Sequence, residues 1–141
     1  MIEKHLSLFF KHYIKAFASL SISDARDCYQ LPCTLSTPEK IILLANEQTF
    51  EREFEQIFTM LKAESISGFK ASNASFEKIN DETFIVAIDW QFLTGANNLF
   101  TEFKAIYHLT FQQQQFRIFN VISQDIAQNF TLTQPFTLAE E

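Results

Sequence analysis

The chain has 141 residues, 47% of them apolar, 15% aromatic and 20% charged. That composition describes one folded domain able to bury roughly 68 to 70% of its unfolded surface, and it excludes disorder as the main state. Only two glycines are present, Gly68 and Gly95, against a typical ~7%, which excludes GxGxxG and P-loop phosphate cradles. Eleven Lys and Arg against 17 Asp and Glu give a net charge of -6; the basic residues are scattered, so no nucleic-acid partner is expected.

In chain order, Ile2, Leu6, Phe9, Phe10, Tyr13, Phe17 and Leu20 recur at helical spacing and predict a first helix. His5, Lys15 and Ser19 fall off that stripe, and His5 and His12 read as solvated residues that hold no metal. Lys11, His12 and Lys15 interrupt the apolar core a secretory leader would need. Ser23 or Asp24 can cap a second helix through about Gln30, with Pro32 stopping it. Cys33 to Ser36 and Ile41 to Leu44 predict two short strands around the Thr37-Pro38-Glu39-Lys40 turn. Cys28 and Cys33 have neither CxxC spacing nor a second pair, and read as buried free thiols of a reducing cytoplasm. Asn46 caps a third helix whose buried stripe is Phe50, Phe54, Ile57, Phe58 and Leu61.

Four longer strands follow: Phe69 to Ile79, Thr83 to Leu93, Leu99 to Phe111 and Phe116 to Ser123. Their connections are of hairpin length, which predicts an antiparallel sheet. Strict alternation places Phe84, Val86, Ile88, Trp90, Phe92, Thr101, Phe103, Ala105, Tyr107, Leu109, Phe116, Ile118, Asn120 and Ile122 on a helix-packed face. The opposite face carries Asp89, Gln91, Glu102, Lys104, His108 and Arg117 and reads as a homodimer interface. Residues 124–141 read as an extended C-terminal tail lying on the domain, residues 1–123, or on a partner subunit. No apolar run is long enough to span a membrane.

The order of long helix, short helix ending at Leu31-Pro32, hairpin, third helix and long meander resembles the nuclear transport factor 2-like superfamily. This is the α+β, cystatin-like cone shared by SnoaL-like and ketosteroid-isomerase families. Residues 1 to about 123 carry the resemblance, through Tyr13 to Phe17, Ser21 to Tyr29, Leu31-Pro32-Cys33-Thr34-Leu35 and Phe116-Arg117-Ile118-Phe119-Asn120. It implies an apolar pocket inside the cone and a dimer through the outer sheet face. Tyr13 is similar in position to the tyrosine that donates to the substrate oxygen in ketosteroid isomerases. The isomerase base has no counterpart in Thr34-Leu35-Ser36-Thr37, and Glu39 is the nearest acid.

Polar handles on the apolar sheet face are how small-molecule sites are built, so Tyr13, Trp90, Tyr107, Asn120 and Thr101 are the expected ligand-binding residues. Asp89 and His108, on neighbouring strands, are the candidate acid-base pair, although alternation places them outside the cone. The expected function is non-catalytic binding of a small apolar or aromatic molecule, without cofactor or metal. The alternatives are a cofactor-independent isomerase or dehydratase with Tyr13 as donor, and a pure protein-interaction module.

Overall fold

The computed structural model describes residues 2–127 and 130–138. Helix α1 (Ile2–Ala18) buries Leu6, Phe10 and Tyr13, the inner part of the predicted stripe, together with Ala16 beside it. His5 is half-buried, not solvated, because its ring meets Phe111 edge-on at 6.0 Å.

Helix α2 (Ile22–Arg26) is shorter than its capping pattern predicts. Ser21 is the N-cap, its hydroxyl accepting from the Asp24 N–H, and the helix ends at the Asp27 cap. Strand β1 (Tyr29–Ser36) begins almost at once, so Pro32 lies inside a strand and does not stop a helix. Strand β2 (Ile41–Leu44) pairs antiparallel with β1. Helix α3 (Glu47–Ala63) opens on the predicted Asn46 cap, reinforced by Thr49 into a reciprocal capping box. It buries Phe50, Phe54, Phe58 and Leu61.

Strands β3 (Ile66–Asn80), β4 (Thr83–Thr94), β5 (Leu99–Gln112) and β6 (Gln115–Gln124) form the meander, and β7 (Gln134–Phe136) closes its edge. The sheet order is β2-β1-β6-β5-β4-β3-β7. Every pairing is antiparallel except β1 with β6, which is parallel. The four long strands pair antiparallel, as their hairpin lengths predict; β1 reaches β6 across α3 and the meander, and local hairpin lengths carry no sign of that parallel contact.

A bulge in β6 corrects the sorting of faces. His108 pairs with Asn120 while Leu109 pairs with Ile118, leaving Phe119 unopposed. One extra residue inverts every later side chain. Asn120 and Ile122 therefore join the outer face opposite His108 and Ile106, and Val121 and Ser123 turn inward.

The tail continues the sheet. Gln134–Phe136 pairs with Ala74 to Phe76, the Leu132 N–H donates to Ser75 Oγ at 3.0 Å, and Phe136 packs on Phe76 with centroids 5.8 Å apart. Residues 132–136 of the tail thus lie against β3, while residues 128, 129 and 139–141 lie outside the described residues.

Scarcity of glycine leaves ordinary residues in left-handed backbone. Gln113 and Gln114, between β5 and β6, sit at φ 54° and 60°, where side chains other than Gly and Asn are disfavoured. Gln114→Gly should raise stability by about 1 kcal/mol in a urea melt; unchanged or reduced stability would contradict this reading of the turn.

Candidate functional site

The helices pack against the concave face of the sheet and enclose a cavity of about 270 Å³, near the lower end of the roughly 300–1,000 Å³ typical of small-molecule sites. Its walls are apolar, with Phe17 from α1, Phe54 and Ile57 from α3, and Phe69, Phe92 and Phe103 from the sheet. These rings come from elements far apart in sequence, and all but Phe69 lie on a stripe or face that periodicity assigns to the interior.

Polar groups meet inside this wall. Tyr13 and Tyr29 hydroxyls are 3.0 Å apart, and Trp90 Nε1 donates to the Tyr107 hydroxyl at 2.8 Å. Tyr13 also interacts with Tyr107, their rings 5.9 Å apart and edge-on. All four residues line the cavity. Burial holds the three phenols well above their ordinary range, Tyr13 being raised further by Tyr29 and Tyr107 by Tyr13, so all three remain neutral donors.

The proton inventory of this cluster is uneven. One indole N–H and three phenol O–H groups supply four protons. The contacts Trp90–Tyr107, Tyr107–Tyr13 and Tyr13–Tyr29 absorb at most three of them, whichever way the hydroxyls turn. The fourth has no side-chain or backbone acceptor among the described residues, and a bound molecule's oxygen can supply one.

Of the expected ligand residues, the structure brings Tyr13, Trp90 and Tyr107 together. Asn120 lies on the other face, its Nδ2 3.0 Å from His108 Nδ1. Thr101, opposite Phe92 in the β4–β5 register, is not part of the cavity lining. Tyr29, Lys40 and Glu53 are among the lining residues that escape the sequence reading. Glu53 could have been found, since it stands three after Phe50 and four before Ile57 on α3.

The Asp89–His108 pair does not form. Asp89 Oδ1 accepts from Lys104 Nζ at 2.6 Å and Oδ2 from Asn73 at 3.0 Å, while His108 is held by Asn120 and lies 5.9 Å from the Phe119 ring. Burial depresses the His108 pKa below the usual imidazole value. Gln91 and Glu102 oppose each other across β4 and β5, and Arg117 reaches Gln115 at 3.4 Å. Among the described residues no cluster of His, Cys, Asp or Glu could hold a metal ion, and no helix is long and apolar enough to cross a membrane.

Cys28 and Cys33 are free and buried. Burial pushes both thiols up to about 12, with Asp27 and Asp24 adding to the effect at Cys28. A raised folded pKa contributes stability that is complete below the unfolded thiol pKa, about 8.5, and is lost as pH rises toward the folded value. Urea melts should therefore weaken above about pH 8.5, and iodoacetamide should label neither thiol of the native protein at pH 8. Rapid native labelling would contradict the burial.

Three helices laid on a curved, mostly antiparallel sheet around an aromatic cavity define the class of cone-shaped α+β proteins with a cystatin-like fold. Within that class, the chain belongs to the family described as NTF2-like protein (DUF6841), whose family model matches residues 3–126. Solved structures agree on the fold. An NTF-2 like protein of unknown function from Shewanella oneidensis MR-1 superposes with a TM-score of 0.71 at 10% identity, over 89% of this chain and 100% of that one. A cystatin-like domain of unknown function from Nostoc punctiforme gives 0.70 at 11% identity, over 87% and 76%. A second cystatin-like protein from that organism gives 0.67 at 9% identity, over 87% and 90%. No curated protein matches the chain.

Proposed function

We propose that the protein binds a small apolar or aromatic molecule carrying a hydrogen-bond acceptor oxygen, such as a ketone, in the cone. The surplus donor proton of the Trp90–Tyr107–Tyr13–Tyr29 cluster, set in an otherwise apolar cavity, carries this reading. An apolar body would gain from burial against the phenylalanines, and its oxygen would take the proton that the protein leaves over. A matched pair tests it: 2-acetylnaphthalene against 2-ethylnaphthalene, of similar shape but lacking the oxygen, measured by titration calorimetry. The ketone should bind about tenfold tighter, the worth of one net hydrogen bond. At least one of Tyr13→Phe, Tyr29→Phe and Tyr107→Phe should erase that preference. Equal affinity for both compounds in the wild type would sink the acceptor requirement.

A second reading, a cofactor-independent isomerase or dehydratase, is favoured by Glu53, the one carboxylate in the cavity lining among the described residues. A carboxylate sharing a cavity with neutral phenol donors supplies the two kinds of group that enolisation requires. Deuterium uptake from heavy water at the carbon beside a bound ketone, lost in Glu53→Gln, would support it. No uptake would leave a binding protein.

The same proposal includes a homodimer through the outer sheet face and residence in the cytoplasm, whose reducing conditions suit two free thiols. Supporting the dimer, Ile41 and Leu43 are 74% and 60% exposed on rows that continue through Ser36, Ile122 and Ile106 and through Thr34 and Asn120. Two charges on this face, Lys104 and Asp89, neutralise each other within the chain. Light scattering should report twice the chain mass, and a monomer at micromolar concentration would contradict it.

A further inference from the structure

The aromatic residues of the cavity wall are not equivalent. Phe17, Phe69, Phe92 and Phe103 are half-buried, whereas Tyr29, Trp90 and Tyr107 are each 2% exposed. A bound molecule would therefore touch the polar cluster at its tip and meet mainly those phenylalanines and the half-buried aliphatics Ile14, Leu35, Ile42 and Ile57. The four rings form a ladder of edge-on contacts. Phe17 meets Phe69 at 6.0 Å and 73°, Phe69 meets Phe92 at 4.8 Å and 79°, and Phe92 meets Phe103 at 5.2 Å and 79°. Each contact sets the positive edge of one ring against the negative face of the next.

The two ends of the ladder differ. Phe17 also packs edge-on against Phe54 and Phe58, but Phe103 meets no ring besides Phe92 among the described residues. The sheet explains why. Trp90 opposes Phe103 on β4, while on the other side β6 ends at Gln124, opposite Lys104 and one position short of Phe103. Next to it toward β6 stand Ala105 and Ser123, small side chains that oppose each other and line the cavity. Phe103 is thus a half-buried ring without a strand neighbour on its β6 flank.

We propose that the ligand is aromatic, and that its ring takes the next place in the ladder, edge to face with Phe103 beside Ala105 and Ser123. This rests on the binding role proposed for the cavity and narrows the class of molecule for that site from apolar compounds in general to planar aromatic ones with an acceptor oxygen. The aliphatic side chains of the wall cover a saturated ring as readily as a planar one. A saturated ring, however, has neither the positive edge nor the negative face that extends a phenyl ladder. Phe103 is then the residue that sets the preference.

Titration calorimetry of 2-acetylnaphthalene against its saturated counterpart, 2-acetyldecalin, tests this, since both carry the acceptor oxygen. Burial alone favours the decalin, which has the larger apolar surface. The aromatic ketone should nevertheless bind tighter. Phe103→Leu, which keeps an apolar side chain, should cut the aromatic-to-saturated affinity ratio by roughly two- to tenfold, the worth of one ring pair. A wild-type measurement stands beside the variant: naphthyl protons should show nuclear Overhauser contacts to the Phe103 ring. Equal or tighter binding of the decalin, an unchanged ratio in Phe103→Leu, or no contact between naphthyl and Phe103 would overturn the aromatic inference. The acceptor requirement would survive any of these if 2-acetylnaphthalene still outbinds 2-ethylnaphthalene. Failure of both ketones to bind would remove the binding role and this inference together.

Discussion

Phe54→Ala should destabilise the fold by about 3–5 kcal/mol, the usual cost of deleting a buried phenyl. Phe54 is 1% exposed and stacks on Phe50 with centroids 4.3 Å apart, while meeting Phe17, Tyr29 and Phe58 edge-on. It joins α1, β1 and α3 at the wall of the cavity, so its loss enlarges a void that already exists, and the neighbouring rings can collapse only partly. A chemical melt measures the loss directly. The same variant should still take up a bulkier probe, because the donor cluster is intact. A loss below about 1 kcal/mol would mean that the wall repacks freely, and that the cavity is not a fixed feature of the fold.

Lys104→Met should cost about 3 kcal/mol or more, because breaking one half of a buried ion pair strands the other charge. The Lys104 and Asp89 side chains are only 6% and 13% exposed, unusual for a sheet face that alternation turns away from the helices. Asp89 would keep Asn73 as its one donor. Replacing both residues, as Asp89→Leu with Lys104→Met, should restore most of the stability, since apolar pairs of similar volume substitute well for buried charges. If Lys104→Met lost less than about 0.5 kcal/mol, the pair would be behaving as a screened surface contact.

The parts of the structure legible from sequence are those set by local rules. Helical spacing locates α1 and α3, the Asn46 cap begins α3 at its observed position, and hairpin lengths delimit the meander to within a few residues. Long-range pairing follows no such rule. The parallel contact of Thr34 with Asn120 and Leu35 with Val121 joins residues from opposite ends of the chain. The bulge at Phe119 leaves no mark in composition, yet it moves Asn120 out of the expected site and Val121 into it.

Tyr29 shows a signal that was present and outweighed. The spacing Tyr29, Leu31, Cys33, Leu35 alternates as a strand does, whereas the preceding Ser and Asp residues favour a longer helix. The alternation prevails because Tyr29 is packed by Phe50 and Phe54, a tertiary gain that capping preferences cannot match. With Tyr29 in the wall, a lone Tyr13 becomes part of a four-donor cluster. The phenylalanines shape the cavity, and the phenols give it a polarity that a ligand can answer.

Native mass spectrometry of freshly purified protein, beside Ala105→Phe, tests that central claim most directly. Ala105 lines the cavity and is 1% exposed, so a phenyl ring there should fill the space a ligand would occupy. The wild type should carry a small molecule, or take up 2-acetylnaphthalene at one per chain, and the filled variant should carry none. A wild type that neither arrives loaded nor accepts the ketone, or a filled variant that binds it equally well, would contradict a binding cavity in the cone.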